Sequence, residues 1–336
     1  MNILLTGNSF HGYDADVRDA LLELGHSVDF LPHNIHGPFN TKADFSKKLR
    51  FGILPSKFKF NAFVNQSIAH YNRLLLQLVN KNKYDLVLLI GAKTVTETTL
   101  SAIKTPKVLW FMDGINYYPA VQPKLTHFDH VFFFEPTDTF AQASMLSDKC
   151  STLHLGFNPK RFFPLNMTRK FDFSFVGSYY PNRDELLHSV VNETKNALII
   201  GDFQRSAYEA IRAINHTQQI PIEQVNQLYN SSKININIHH KQSIEGLNVR
   251  TFEVQGSGNI QLVENQLAAQ EFFTDGENIL LYSSPEEFKD KLLFYLDRSD
   301  LQLKLRTNAY TDALANHTWK QRMTTLMDEL TNRGIA

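Results

Sequence analysis

Three short runs constrain this chain more than any other feature: "YDLVLLIG" (84–91), "KVLWFMDG" (107–114) and "HVFFFEP" (130–136). Each is continuously apolar over the length of a strand and ends in Gly, Asp or Pro. A strand with one wet face alternates apolar and polar residues, whereas an unbroken apolar run needs cover on both faces. Parallel strands sandwiched between helices meet that need, and helix-period segments lie between the runs. "DADVRDALLELGH" (14–26) interleaves Leu21, Leu22 and Leu24 with charges and stops at Gly25. "NAFVNQSIAHYNRLLLQLVNKNK" (61–83) reads as a long amphipathic helix. The β-α alternation predicts an α/β, doubly wound sheet, whose ligands bind beyond the carboxyl ends of its strands.

The pattern then starts again. "FDFSFVGS" (171–178) is a strand entering a Gly-Ser loop, and "NRDELLHSVVNETK" (182–195) is the helix after it. "ALIIGDF", "ININIHH" and "NIQLVEN" read as further strands, with "PIEQVNQLYNSSK" and "LNVRTFEVQGS" as helices between them. Two helices close the chain, the first opened by the start signal Ser284-Pro285-Glu286-Glu287. At 336 residues the chain suits two domains of about 150 each. The expected division is 1–162 and 163–317, with 318–336 packing back on the first domain. Two Rossmann-like halves facing one another would leave a cleft for a ligand.

Formal charge balances at zero, so bulk charge does not announce binding to nucleic acid or anionic lipid. The single cysteine, Cys150, cannot form an intramolecular disulfide, which fits a reducing cytoplasm. "MNILLTGNSF" reads as an immediate first strand and not a signal peptide, and no run approaches the roughly 20 apolar residues of a membrane span. A cytoplasmic protein is expected, at most peripheral at the inner face of the membrane. The basic, aromatic stretch 45–60 (Lys47, Lys48, Arg50, Lys57, Lys59) would serve such contact, or contact with a polyanion, or be a solvated loop.

Several loops carry candidate chemistry. Gly177 and Ser178 end a strand just before a helix, where exposed N–H groups and the dipole favour an anion, and Arg183 is placed to grip a diphosphate. A plain turn with a surface arginine is the other reading. Gly7, Asn8 and Ser9 keep the backbone open at the first strand's end, without the full G-x-G-x-x-G spacing. In "EGLNVRTFEVQGSG" (245–258), Glu245 belongs to a loop, while Glu253 lies inside a helix half-buried by Val249, Phe252 and Val254. A carboxylate there needs a partner and can accept from a diol. His239 and His240 follow the strand "ININI" and are packed, solvated or ligand-facing. Asp113 ends its strand as a turn former or as a functional acid.

These residues carry a resemblance. "EGLNVRTFEVQGSGNIQL" resembles the E-x7-E region of retaining GT-B glycosyltransferases, and its form is similar to the CgeB-like (spore-maturation protein) branch of the group 1 family. "FSFVGSYYPNR", "LYNSSKININIHH", "FFTDGENILLYSSPEEF" and "NHTWKQRM" continue it, as do "KVLWFMDG", "HVFFFEPTD" and "LHLGFNPKRFFP", in order from about residue 84. The usual "EALACG" stands here as "EVQGSG". The resemblance implies a GT-B hexosyltransferase-type enzyme using a nucleotide sugar, UDP-sugar favoured, and a glycan, lipid-linked or polymeric acceptor. It implies retention of configuration and no cofactor or essential metal beyond the donor. By position, Glu253 would bind the ribose and Gly177, Ser178 and Arg183 the diphosphate; Arg250 would neutralise the diphosphate or orient Glu253, and Ile220 and Pro221 would flank the base. Glu245 and Gly246 would face the transferred sugar, and His239 and Asn248 would belong to the donor-binding set. Asp113, opposite the donor, would be catalytic with Glu245, binding a sugar hydroxyl, stabilising oxocarbenium character or receiving the acceptor proton. A nucleotide-sugar epimerase or hydrolase, or a non-catalytic nucleotide-sugar-binding protein, are the competing readings of the same residues.

Overall fold

A computed structural model describes residues 1–7, 12–33, 56–216, 220–240 and 243–336, of which 56–64, 222 and 223 are described by backbone alone. The chain divides into two compact units. One is Met1–Leu153 with Met323–Ala336, and the other is His154–Arg322.

The first unit holds β1 (Asn2–Gly7), β2 (Ser27–Pro32), β3 (Leu86–Ile90), β4 (Lys107–Phe111), β5 (His130–Phe133) and β6 (Cys150–Thr152). All pair in parallel, in the order β2-β1-β3-β4-β5-β6. The three apolar runs are the central strands β3, β4 and β5, and every residue of β3 is buried. One core gathers Leu4, Val87, Leu89, Leu109, Phe111, Val131 and Phe133 with Tyr71 and Leu75 of the helix Ser56–Lys81. Strand order reverses between β1 and β3, so their carboxyl ends flank the crevice where such sheets bind ligands.

The last turns of the helix Trp319–Asn332 belong to this unit and are tied to it by a polar relay. Ser151 Oγ donates to Glu329 Oε1 (3.0 Å), which also accepts from Arg333 Nε (2.7 Å). With its proton committed there, Ser151 Oγ accepts from His130 Nε2 at 3.0 Å.

In the second unit β7 (Phe171–Val176), β8 (Ala197–Ile200), β9 (Asn215–His216), β10 (Ser232–Asn237), β11 (Ile260–Glu264) and β12 (Leu280–Tyr282) run parallel, ordered β12-β11-β10-β7-β8-β9. The reversal falls between β7 and β10. The strand "ININI" explains how the two faces differ. Ile234, Ile236 and Ile238 join Phe173, Phe175, Leu262 and Leu280 in the apolar core. Asn235 and Asn237 point the other way and are equally buried. Their amides are satisfied by design of sequence: Ser174 Oγ donates to Asn235 Oδ1 (2.8 Å), and Asn237 Nδ2 reaches Asn248 Oδ1 (3.1 Å) and Thr251 Oγ1 (3.0 Å).

The expected boundary at 162/163 lies inside the second unit. Phe157 N donates to His317 O (3.1 Å) and Trp319 N donates to Phe157 O (3.0 Å), so the two crossing segments pair with each other. Arg322 Nε donates to Leu155 O at 2.8 Å. The Phe157 ring also fills the space beside Gly256, where an added Cβ would lie 2.2 Å from ring carbons. Gly256, the last residue of its helix, is thus required by packing and not as a source of flexibility.

Burial holds four histidines neutral: His33 and His239 to pKa values of about 3, His130 and His154 to about 4, from an ordinary 6.5. The unfolded chain binds protons that these sites refuse, so their contribution is intact above 6.5 and lost as pH falls toward 4. Asp138, raised to about 6 by burial, and Glu264, also raised by burial, oppose them. Urea midpoints should be level from pH 7 to 8 and decline steadily from pH 6.5 to 4. A midpoint that rises over that interval would contradict the burial assigned to these rings.

Candidate functional site

The second sheet's switch point is held by one side chain. Register pairs Phe175 with Ile236, which brings Gly177 and Ile238 side by side at the carboxyl ends of β7 and β10. Arg183, in the first turn of the helix Pro181–Val191, reaches across: Nη1 donates to Ser178 O (3.0 Å) and Nη2 to Ile238 O (2.6 Å). It is 3 % exposed, so the surface-arginine reading is set aside. Its guanidinium lies over the rings of Tyr180 (4.9 Å) and Phe175 (5.5 Å). Burial, and then the like charge of Arg250, lower its pKa to about 10; Tyr180, Tyr282 and Glu264 act in the opposite sense. It stays cationic at neutral pH. Gly201, at φ +151°, lets the end of β8 approach so closely that a Cβ there would lie 1.9 Å from Gly177 O.

The helix Val249–Gly256 begins beside this corner. Asn248 caps it, accepting from Thr251 N (3.2 Å), and exchanges hydrogen bonds with Asn237 in both directions (3.1 and 2.9 Å). Gln261 Nε2 donates to Thr251 O (2.6 Å), which ties the same turn to β11. Arg250 is half-buried, as are Glu245 and Asn248, while Gly246 is buried. Glu245 lies in the loop, its carbonyl accepting from Ala268 N at 3.1 Å. Glu253 is 3 % exposed and is hydrogen-bonded by the hydroxyl of Tyr229, whose own pKa is raised by burial and by the charge of Glu253. The partner that a buried carboxylate requires is therefore Tyr229, with Arg250 acting on the same hydroxyl.

Ile220 packs against Leu198, Ile200 and Leu228 beside the end of β8, and Pro221 is exposed at the cap of the helix Ile222–Asn230. His239 follows β10 and is buried; the His240 ring lies 4.6 Å from that of Tyr180, tilted by 52°. The second unit thus gathers Gly177, Ser178, Arg183, His239, Asn248 and Arg250 at one sheet edge, with Glu253 past the first turn of the helix that starts there. A cavity of 310 Å³ beside β12, lined in part by Thr274, Asp275, Glu287 and Lys291, shares none of them. Among the described residues that line it, the lysine is engaged by Asp275 (2.6 Å) and Glu287 (2.8 Å) and so is not free for an anion.

In the first unit Gly7 ends β1 and presses on the side chain of Asp14. Asn8, Ser9 and most of the basic stretch 45–60 lie outside the described residues, and the side chains of Lys57 and Lys59 with them. Asp113 follows β4 and forms an ion pair with Lys93 (2.7 Å), both about one-third exposed. Lys93 also lies 3.5 Å over the Tyr118 ring and helps to keep His33 neutral. Sequence reasoning missed Lys93 and Tyr229, whose partners are distant in the chain. Asn237 was signalled by the Ile–Asn alternation. Among the described residues no group of three or more His, Cys, Asp or Glu could hold a metal ion, and no helix is long and apolar enough to cross a membrane.

Two doubly wound parallel units with a cationic, carboxylate-bearing sheet edge define a glycosyltransferase-like fold. Residues 162–328 match the family described as "Glycosyl transferase-like". No curated protein matches the chain. Among solved structures, the chain is similar to sucrose-phosphate synthase from Thermosynechococcus elongatus (14% identity, 99% of this chain and 100% of that one, TM-score 0.65). It is similar to HepE of Anabaena in complex with UDP-glucose (12%, 99% and 100%, TM-score 0.67). A glycosyltransferase from Rickettsia africae aligns over 98% of both chains at 15% identity and TM-score 0.65. These likenesses establish the fold as GT-B, with two Rossmann-like units.

The capping amide has a measurable share in this edge. Asn248→Ala removes the cap and one partner of buried Asn237, and should cost about 2 kcal/mol of unfolding free energy. An unchanged urea midpoint would show that the pair does not hold the helix start.

Proposed function

We propose that the chain is a retaining hexosyltransferase of CgeB-like type that uses a nucleotide sugar, a UDP-sugar by preference. The observation that carries this is the buried Glu253–Tyr229 pair beside Arg250, close to the switch point bridged by Arg183. Two cations and the N-terminus of the helix Pro181–Val191 suit a diphosphate, and a buried carboxylate with one of its bonds already fixed suits a ribose diol. HepE, similar in fold, was solved with UDP-glucose.

In this reading Glu253 accepts from the ribose hydroxyls, while Gly177, Ser178, Arg183 and Arg250 face the diphosphate. Ile220 and Pro221 flank the base, and Glu245, Gly246 and Asn248 line the side of the transferred sugar. Charge building on the leaving diphosphate is then met by preorganised arginine and N–H dipoles, with no resident metal called upon. Asp113, held by Lys93, is the first unit's group for a sugar hydroxyl or for the acceptor's proton. The acceptor is a glycan, a lipid-linked glycan or a polymer on the cytoplasmic side, met in part through residues 45–60.

Binding of UDP-, GDP-, ADP- and TDP-sugars, read by thermal shift, tests the donor class, because a ligand of the folded state raises apparent stability. Glu253→Gln and Glu253→Ala should lower kcat/KM for transfer by about 100-fold or more while the protein stays folded. Transfer at the parent rate in both variants would overturn the assignment.

A further inference from the structure

Buried polar atoms are nearly always hydrogen-bonded, so a cluster of exceptions asks for a reason. Three exceptions meet at the carboxyl edge of the second sheet: Nε of Arg183 and both ring nitrogens of His239, none with a hydrogen-bond partner among the described residues. His239 is 3 % exposed. It adjoins Ile238, whose carbonyl accepts from Arg183 Nη2. Buried His130 spends one ring nitrogen on Ser151 and leaves only Nδ1 without a partner. His239 leaves both.

The electrostatics at the ring are one-sided. Beyond burial, the groups that act on it are Arg183 and Arg250, both cations, and they hold the imidazole neutral. A neutral imidazole retains one N–H donor. Two buried or half-buried guanidinium groups and an unused N–H converge on one corner, a set of donors matched to an anion with several oxygens.

We propose that His239 is an anion-recognition residue that donates a ring N–H to a phosphoryl oxygen of the donor's diphosphate, between Arg183 and Arg250. This rests on the nucleotide-sugar reading and assigns to a specific side chain a contact that the reading leaves to arginines and backbone. It also accounts for the position of the ring: the first residues past β10 lie at the switch point, where an α/β sheet receives its ligand.

Calorimetric titration of the full chain with UDP, uridine and inorganic pyrophosphate tests the assignment in the parent, H239F and H239N. H239F should weaken UDP and pyrophosphate about 10-fold or more and leave uridine unchanged. H239N, which keeps an N–H donor, should recover part of the loss. Thermal unfolding checks that each variant is folded, and H239M replaces H239F if the phenyl ring is not accommodated. Parent-like affinity of the donor-free variant for both phosphates overturns the proposal, as does an equal loss for uridine, which marks a structural role. Pyrophosphate binding that depends on His239 in a chain that ignores UDP supports the anion site and removes the nucleotide reading. A parent chain that binds neither removes both.

Discussion

A single buried guanidinium organises the second unit. Strand order reverses between β7 and β10, and nothing in a parallel ladder fixes how the chain leaves the two strands there. Arg183 supplies the fixation, with one donor on each side of the crevice, at Ser178 O and Ile238 O. Burying a cation is costly unless it is hydrogen-bonded and compensated. Two carbonyls and the faces of Tyr180 and Phe175 provide the compensation. The same interaction leaves positive charge standing at the mouth of the sheet. In the proposed reading, the stability of this edge and its affinity for a diphosphate rest on the same side chain.

Around that cation the chain spends polar groups where most sheets are apolar. Ser174, Asn235, Asn237, Gln261 and Thr251 form a buried hydrogen-bonded layer between the strands and the helix Val249–Gly256. A fully satisfied network of this kind rigidifies and specifies position, whereas a half-satisfied one destabilises. The helix it positions carries Arg250 and Glu253. Gly256 completes the fit by admitting the Phe157 ring, so the segment that follows the division at Leu153/His154 packs directly against this helix.

Much of the architecture was legible because burial leaves a direct trace in sequence. Continuous apolar runs became β3, β4 and β5, and the restart at residue 171 became the second sheet. Glu253 was legible as a carboxylate in an apolar helix, hence as one needing a partner. What could not be read was the partner itself. Tyr229 to Glu253, Lys93 to Asp113 and Arg183 to Ile238 are contacts made by folding, not by spacing. The compact units divide at Leu153/His154, ahead of the boundary expected near 162, where the prolines and scarce periodicity of 156–170 look like a linker. In fact Phe157, Phe162 and Leu155 are buried, and the backbone of 157 pairs with that of 317 and 319.

The central claim is that the carboxyl edge of the second sheet, at the β7–β10 reversal, receives a nucleoside diphosphate. Amide hydrogen exchange with and without UDP tests it most directly. The account predicts slowed exchange at 177–184, 238–240 and 245–253, with the strand interiors unchanged. Exchange unaltered at those segments, or protection confined to 274–291 around the cavity beside β12, would contradict it.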